Sequence, residues 1–547
     1  MAAAVAGKKA DAQWRFVGSH NRMKGKDSSS PTDCDVIVIG AGIAGLTASA
    51  ILSRAGLRVL ALEEQDRPGG YFQGFSRRGF TFDSSIQWLN NCNEGGFISD
   101  VFRFIGEDYP RCPRMRRIRR YKGESFDYLL TSDPDLFRDR LLHDFPGEGK
   151  GIRRFFADCK KNGARFDVLR HRMRAVETMP FGQRLVFGMR MLRWVLPVWK
   201  YLRVSAEKGL KRYFRSEAIQ ALFCCEEKFM SVMMPFCWAY AGDFQSPPPG
   251  GVEAFVRWLH ACIETPSSRL LLRSRVERVL VEGRRAAGVV LADGREFRSR
   301  CIIAACDSEN LFERMLPAGT VPQKRLQRLR EADIYPSSVT VFLGLDCDAS
   351  AIGIGEELIN LTIDAQPRAD HSSGDPRKGS LTVQAPSVRD GTLAPAGKST
   401  LTIHCSARFE HEDFWRTGEN FARGPAYRDL KRRFADILID RVEKALAVDL
   451  RRHIEVLEIA TPITYWRYTR NRRGSIMGAS PSDRNIKNKL AGLRTPLQNL
   501  FLGGHWAVYG GGMPMAVQAA ANASLLVLQQ LKNPAFARLC AIMDGRA

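Results

Sequence analysis

Residues 34–63 leave very few folds open. Cys34-Asp35-Val36-Ile37-Val38-Ile39 is a short, mostly apolar run of the kind a buried strand requires, and Gly40-Ala41-Gly42-Ile43-Ala44-Gly45 follows it at once. Small residues through Arg54 suit a helix packed closely on that strand. Arg58-Val59-Leu60-Ala61-Leu62-Glu63 is then a second buried strand. Glu63 falls 18 positions beyond Gly45, near the ~20-residue offset at which an acidic side chain meets a ribose hydroxyl. A glycine-rich turn alone is a weak signal. Between a strand and a helix, with an acid ending the next strand, it is specific. The glycines permit a tight turn, close approach of a pyrophosphate and tight helix–strand packing, while the helix N-terminus offers free N–H groups to the phosphates. This unit binds a dinucleotide.

Just past Glu63 the chain continues Arg67-Pro68-Gly69-Gly70-Tyr71. A second Gly-Gly at this offset resembles the superfamily of amine oxidases, phytoene desaturases and their relatives, in which the segment and its nearby Arg lie against the pyrophosphate and flavin of FAD. Phe75-Ser76-Arg77-Arg78-Gly79-Phe80-Thr81-Phe82-Asp83 and Pro249-Gly250-Gly251-Val252 narrow the resemblance to the phytoene desaturase, carotenoid isomerase and retinol saturase branch. It is strong over Asp35–Phe82, recognisable over Pro247–Asp307 and Thr461–Ala523, and thin elsewhere. Near the C-terminus, Asn499-Leu500-Phe501-Leu502-Gly503-Gly504-His505-Trp506 and Tyr509-Gly510-Gly511-Gly512-Met513-Pro514 resemble the strand and helix start that such proteins place beside the flavin's pyrimidine end. A helix dipole there stabilises negative charge near N1 of the reduced flavin. The chain departs from the family in carrying Tyr509-Gly510 where relatives often show Pro-Gly, and Ala519-Ala520-Ala521 in place of Ser-Gly.

The resemblance implies an α/β fold, a two-dinucleotide-binding-fold (Rossmann-like) FAD domain with an inserted α+β substrate domain. It assigns cofactor contacts to Gly40, Gly42, Ile43, Ala44, Gly45, Glu63, Glu64, Arg67, Gly69, Gly70, Tyr71, Val276, Gly504 and Met513. No nucleophile or metal site stands out, as expected where the flavin carries the chemistry and the protein shapes an apolar pocket. His505 and Tyr509 are the candidate catalytic residues because their motif falls beside the isoalloxazine ring; each could equally pack around the cofactor. His404, within Leu401-Thr402-Ile403-His404-Cys405, reads as a structural residue on a strand.

The order of elements divides the chain. A basic tail over 1–32 precedes FAD-binding segments at 33–100, 246–310 and 490–535; residues 101–245, mostly helical by pattern, and 311–489 form the substrate-binding or cap domain. Strand signals fall at Arg275–Val281, Ala287–Leu291 and Cys301–Ala305, then at Ser338–Leu345, Leu358–Ile363, Ser380–Gln384 and Thr400–Cys405. At 547 residues, 44% apolar and 10% aromatic, the chain is globular. Its formal charge of +23 favours anionic partners. Within Leu185–Arg203, apolar bulk accompanies Arg190, Arg193, Lys200 and Arg203, which fall within about 140° of one another on a helix that Pro197 should kink or break. That is the pattern of a membrane-interface helix, and also of a cap-domain core helix. The dense basic run Arg111–Arg120 is most simply a solvated face, and no nucleic-acid motif accompanies it.

The 13 cysteines, at irregular spacings without a C-x-x-C pair, suit reduced thiols in a cytoplasm-like or organellar compartment, and no signal-peptide core or apolar spanning run is present. The expected protein is a peripheral (monotopic), non-secreted FAD-dependent oxidoreductase. Its substrate would be a long apolar polyene or isoprenoid, desaturated, saturated or isomerised with hydride exchanged at flavin N5. The alternatives are a flavin amine oxidase or protoporphyrinogen oxidase-like enzyme and, in another class, a non-catalytic prenyl-lipid-binding protein on the same fold. Intact glycines, Glu63 and Gly69-Gly70 favour retained cofactor binding over that last class.

Overall fold

The computed structural model describes residues 33–84, 86–170, 173–364 and 366–546; the expected basic tail lies outside them. Two seven-stranded sheets dominate the architecture. In the first, Arg269–Leu271, Val59–Leu62, Cys34–Ile39, Glu296–Ala304 and Leu500–Leu502 run parallel in that order. Val36, Ile37 and Val38 are fully buried, and the strands read as continuous apolar runs because helices cover both faces of such a sheet. The helix Ile43–Arg54 packs on one side against the C-terminal helix Gly512–Gln530. Small side chains permit that approach: Ala519, Ala520 and Ala521 are fully buried.

The strand Glu296–Ala304 joins two motifs that its sequence suggests are separate. Its first residues pair antiparallel with Arg285–Leu291, which pairs in turn with Val276–Glu282. Its last residues enter the parallel sheet beside Cys34–Ile39. One nine-residue strand therefore carries both the hairpin edge and the apolar strand expected at Cys301–Ala305.

The second sheet has the order Ile454–Ala460, Ser337–Leu345, Ser399–Ala407, Leu381–Gln384, Leu358–Leu361, Arg117–Lys122, Asp127–Thr131. Val339, Val341, Leu401 and Ile403 point from one face into a core with Tyr427, Leu430, Phe434 and Leu438 of the helix Pro425–Leu446. Alternation turns Thr340, Thr402 and His404 to the other face. A third, helix-rich core gathers Phe137, Phe155, Phe156 and Phe236.

Residues 101–245 are mostly helical, as expected, but Arg117–Lys122 and Asp127–Thr131 form a hairpin that completes the second sheet. A register shift between Arg117 and Arg119 breaks the period-two pattern that would have revealed the strand. Within the basic run, Arg117 pairs with Glu357 at 2.7 Å and Arg120 with Asp127 at 2.6 Å. Pro197 does not break its helix, which runs through it from Phe181 to Leu202. Only the C-terminal end of that helix joins a core, through Tyr201. Val198 and Tyr201 are buried, but Phe181, Leu185, Met189, Leu192, Leu196 and Trp199 recur every three or four residues on the outside, Phe181 being 82% exposed.

Candidate active site

Parallel strands of a sheet deliver their carboxyl ends to one edge, and the loops there form the usual ligand crevice. Along this edge lie Gly40 and Gly42 after Cys34–Ile39, Glu63 and Glu64 after Val59–Leu62, Ala305-Cys306-Asp307 after Glu296–Ala304, and Gly504-His505 after Leu500–Leu502. All of them line one cavity of about 1410 Å³, larger than the ~300–1,000 Å³ of an ordinary small-ligand site.

Two helices begin at this cavity, and neither start is capped by a side chain. Gly42 precedes Ile43–Arg54 and Gly511 precedes Gly512–Gln530, both in extended conformation. Their first N–H groups are therefore available to an anion. Space at the first start is specific to glycine. A Cβ on Gly45 would lie 1.8 Å from the Gly40 carbonyl oxygen, whereas one on Gly42 would project into open space. Gly45 thus sets the packing of turn on helix, and Gly42 with Ile43 and Ala44 faces the ligand. The second glycine pair docks directly on the first. Gly69 N–H donates to the Ala41 carbonyl at 2.7 Å, with a φ of 121° that favours glycine, and Gly70 reaches the cavity wall.

Glu63 is held by its own turn: the Ala41 and Gln65 N–H groups donate to its carboxylate at 2.7 and 3.0 Å. Burial raises its pKa, against those hydrogen bonds. Glu64, also on the wall, takes Arg470 at 3.2 Å. Val276 and Met513 line the cavity as well. Arg67 is not among the lining residues; it bridges to Glu253 at 2.8 Å and ties the second glycine segment to the helix Glu253–Ile263. Tyr71 lines the cavity with its ring, but its hydroxyl donates to the Ser475 carbonyl at 2.7 Å.

The two candidate catalytic residues part company. His505 lines the cavity, its Nε2 finds no hydrogen-bond partner among the described residues, and burial lowers its pKa to about 4. The ring is therefore a neutral imidazole. Tyr509 is turned elsewhere: its hydroxyl donates to the Asn485 carbonyl at 2.6 Å and accepts from Leu490 and Ala491 N–H at 2.9 and 3.3 Å. With its phenolic oxygen engaged three times, it staples the loop before Leu500. Tyr509, expected as a candidate catalytic residue, is not among the residues that line the cavity.

His404 is corrected in the opposite direction. It lines the cavity from the second sheet with no side-chain hydrogen bond among the described residues, and burial lowers its pKa to about 4. Asp307 also escaped the sequence reading. It accepts from the N–H groups of Glu309, Asn310 and Arg472, and burial raises its pKa to about 6. A signal for Asp307 was present, since it follows the strand that neighbours the glycine motif. No local signal marks Trp88, Trp238, Met234, Tyr335 and Trp466, which come to the wall from four separate segments.

The residues fit a flavin dinucleotide. Two uncapped helix starts face one cavity, Gly42 lines it with open space where a Cβ would stand, and the His505 Nε2, without a partner among the described residues, lines it as well. Gly42, Ile43 and Ala44, with Gly70 beside them, would hold the pyrophosphate, and the Gly504–Met513 region the flavin ring. Bound there, FAD supplies the redox chemistry.

Comparisons with known proteins agree. Residues 43–528 match the family described as flavin containing amine oxidoreductase. The chain is 26% identical to an all-trans-retinol 13,14-reductase of Danio rerio over 95% of this chain and 90% of that one. It is 24% identical to prolycopene isomerase 2, chloroplastic, of an Oncidium hybrid cultivar over 88% and 81%. It is 25% identical to a lycopene-forming phytoene desaturase of Pseudescherichia vulneris over 91% and 99%. Among solved structures, a putrescine oxidase double mutant superposes with a TM-score of 0.58 at 14% identity, over 91% of this chain and 99% of that one; this shows the fold. The chain belongs to the flavin containing amine oxidoreductase family and is an FAD-dependent oxidoreductase.

Proposed function

We propose that this enzyme exchanges hydride between FAD and a carbon–carbon unit of a long apolar polyene or isoprenoid. The observation that carries this reading is the likeness, over at least four fifths of each relative, to proteins named for retinol reduction, prolycopene isomerisation and phytoene desaturation. The shape of the site supports it. The cavity continues from the glycine turns to a wall of Trp88, Met234, Trp238, Tyr335 and Trp466, suited to exclude water and hold an extended apolar chain. His505 faces the same space as a neutral imidazole, able to hold or accept a hydrogen at the flavin end; Tyr509 takes no part. A polyene offered anaerobically to the holoenzyme tests the reading. A desaturase bleaches oxidised flavin, a saturase reoxidises reduced flavin, and an isomerase turns over without net electron transfer. A flavin that answers amines and no polyene, retinoid or isoprenoid would replace this reading with the amine-oxidase one.

We also propose that the enzyme works at an anionic membrane surface. No described helix is long and apolar enough to cross a membrane. The outward stripe from Phe181 to Trp199, flanked by Arg190, Arg193 and Lys200, supports lying in the interface instead. Arg203 is partly engaged with Asp483 at 3.8 Å. Sedimentation with phosphatidylserine vesicles should exceed that with neutral ones and fall in high salt. Equal partitioning of wild type and of a variant reversing Arg190, Arg193 and Lys200 would remove the proposal.

A further inference from the structure

Two hydrogen-bonding side chains line the cavity with no side-chain partner among the described residues. The His404 ring projects from the middle of the second sheet, between Thr340 and Thr382 on the neighbouring strands. The Tyr335 hydroxyl comes from the segment leading into the same sheet, and its backbone N–H is fixed on the Gly478 carbonyl at 2.9 Å. Two other polar side chains of the region are engaged within the protein. Thr340 is bonded to the Tyr465 hydroxyl at 2.6 Å, and Asn471 donates to the Ser475 carbonyl. Both side chains are half-buried, so a ligand that fills the cavity seals them from water, and unengaged polar groups so placed point to a ligand atom or to water that a ligand displaces.

A ligand made only of carbon and hydrogen would strip water from His404 and Tyr335 and return nothing. Each group would then be desolvated without compensation, which is the physical basis on which polar sites reject analogues lacking a matching atom. A neutral imidazole presents one donor and one acceptor, the complement of a hydroxyl group, which also donates and accepts. A carbonyl oxygen meets the donor alone. A carboxylate would meet no compensating charge on either side chain.

Resting on the polyene reading above, we infer that the substrate of this cavity is an oxygenated polyene, carrying a hydroxyl or carbonyl oxygen that His404 receives, with Tyr335 as a second hydrogen-bonding group on the wall. His404 is then a specificity-determining residue. It selects for the oxygen-bearing member among chains of equal length and unsaturation.

The test uses FAD-loaded full-length enzyme and three probes of matched skeleton: all-trans-retinol, its deoxy hydrocarbon and all-trans-retinoic acid. Dissociation constants come from perturbation of the flavin spectrum. Wild type should bind the alcohol about tenfold more tightly than the hydrocarbon, the value of one neutral hydrogen bond, and more tightly than the acid. His404→Phe should erase that preference while binding the hydrocarbon as well as or better than wild type does. His404→Gln, which keeps a donor and an acceptor, should restore part of it. Unchanged FAD content in both variants separates selectivity from misfolding, and Tyr335→Phe provides a milder second variant. Equal binding of alcohol and hydrocarbon by wild type would overturn the inference and leave the polyene reading standing, as would tightest binding of the acid or an equal loss for all probes in His404→Phe. Failure of every polyene to perturb the flavin, with amines succeeding, would overturn both.

Discussion

The two sheets meet at one cavity but contribute to it by opposite means. The parallel sheet presents strand ends: carbonyls, N–H groups and helix starts, with glycine wherever a side chain would intrude. The second sheet presents a face, and what reaches the cavity from it is a side chain, His404. Backbone recognition suits the part of a ligand that never changes, a pyrophosphate. Side-chain recognition suits the part that differs between relatives, because one substitution alters it without disturbing the strand beneath. The same division is consistent with relatives named for different activities aligning over nearly the whole chain.

The largest expected effect lies on the backbone side. Gly42→Val should give a folded protein with no bound FAD, since its Cβ meets open cavity and not protein. Gly45→Val should not fold, because its Cβ would sit inside the Gly40 carbonyl. Circular dichroism with flavin absorbance distinguishes the two outcomes; flavin retained in Gly42→Val would contradict the cradle.

Next is His505→Ala. At full FAD occupancy, turnover should fall about 10²-fold, the lower end for loss of a proton-handling group. A loss confined to FAD affinity, with normal turnover of the bound fraction, would make His505 a packing residue.

The two cavity histidines offer a comparison across the sheets. Both have folded pKa values near 4, below the ~6.5 of an unperturbed imidazole. The fold favours their neutral forms, so their contribution to stability is complete above about pH 6.5 and is lost as pH falls toward 4. Thermal unfolding at pH 7 and pH 4.5 should show His404→Phe and His505→Phe each less acid-sensitive than wild type, by about 1–3 kcal/mol. Identical acid sensitivity in all three would mean that neither ring is held neutral by burial.

Glu63→Ala should weaken FAD by ~1–3 kcal/mol in a titration of apoprotein, less than Gly42→Val because a lost contact is milder than an occupied site. The smallest effect belongs to Tyr509→Phe. It should lower the unfolding midpoint, at a cost of about 1 kcal/mol, and leave turnover untouched. A large fall in turnover at unchanged stability would restore Tyr509 to the chemistry.

Legibility followed the same boundary. The glycine turns, Glu63 and the C-terminal helix start could be read locally, because a dinucleotide cradle is formed by residues close in sequence whose backbone must do one thing. Tyr509 and His404 could not. Each stands in a motif or strand that sequence describes correctly, yet the direction of each side chain depends on remote partners. Asn485, Leu490 and Ala491 capture the Tyr509 hydroxyl. The register of Ser399–Ala407 against Ser337–Leu345 places His404 on the cavity face, and a shift of one residue would have buried it under the helix Pro425–Leu446. The hairpin Arg117–Thr131 was hidden for a related reason, a bulge that only its partner strand defines.

By itself the sequence determined the βαβ unit, the second glycine pair, the choice of FAD and the branch of flavoproteins to which the chain is similar. These follow from local sterics: a tight turn, a close phosphate, an uncapped helix. Tertiary structure decided that one strand, Glu296–Ala304, serves both hairpin and parallel sheet, that the Phe181–Leu202 helix turns an apolar stripe outward, and which histidine faces the ligand from each sheet. Those outcomes rest on pairing register and on packing between segments hundreds of residues apart, and no local pattern encodes either.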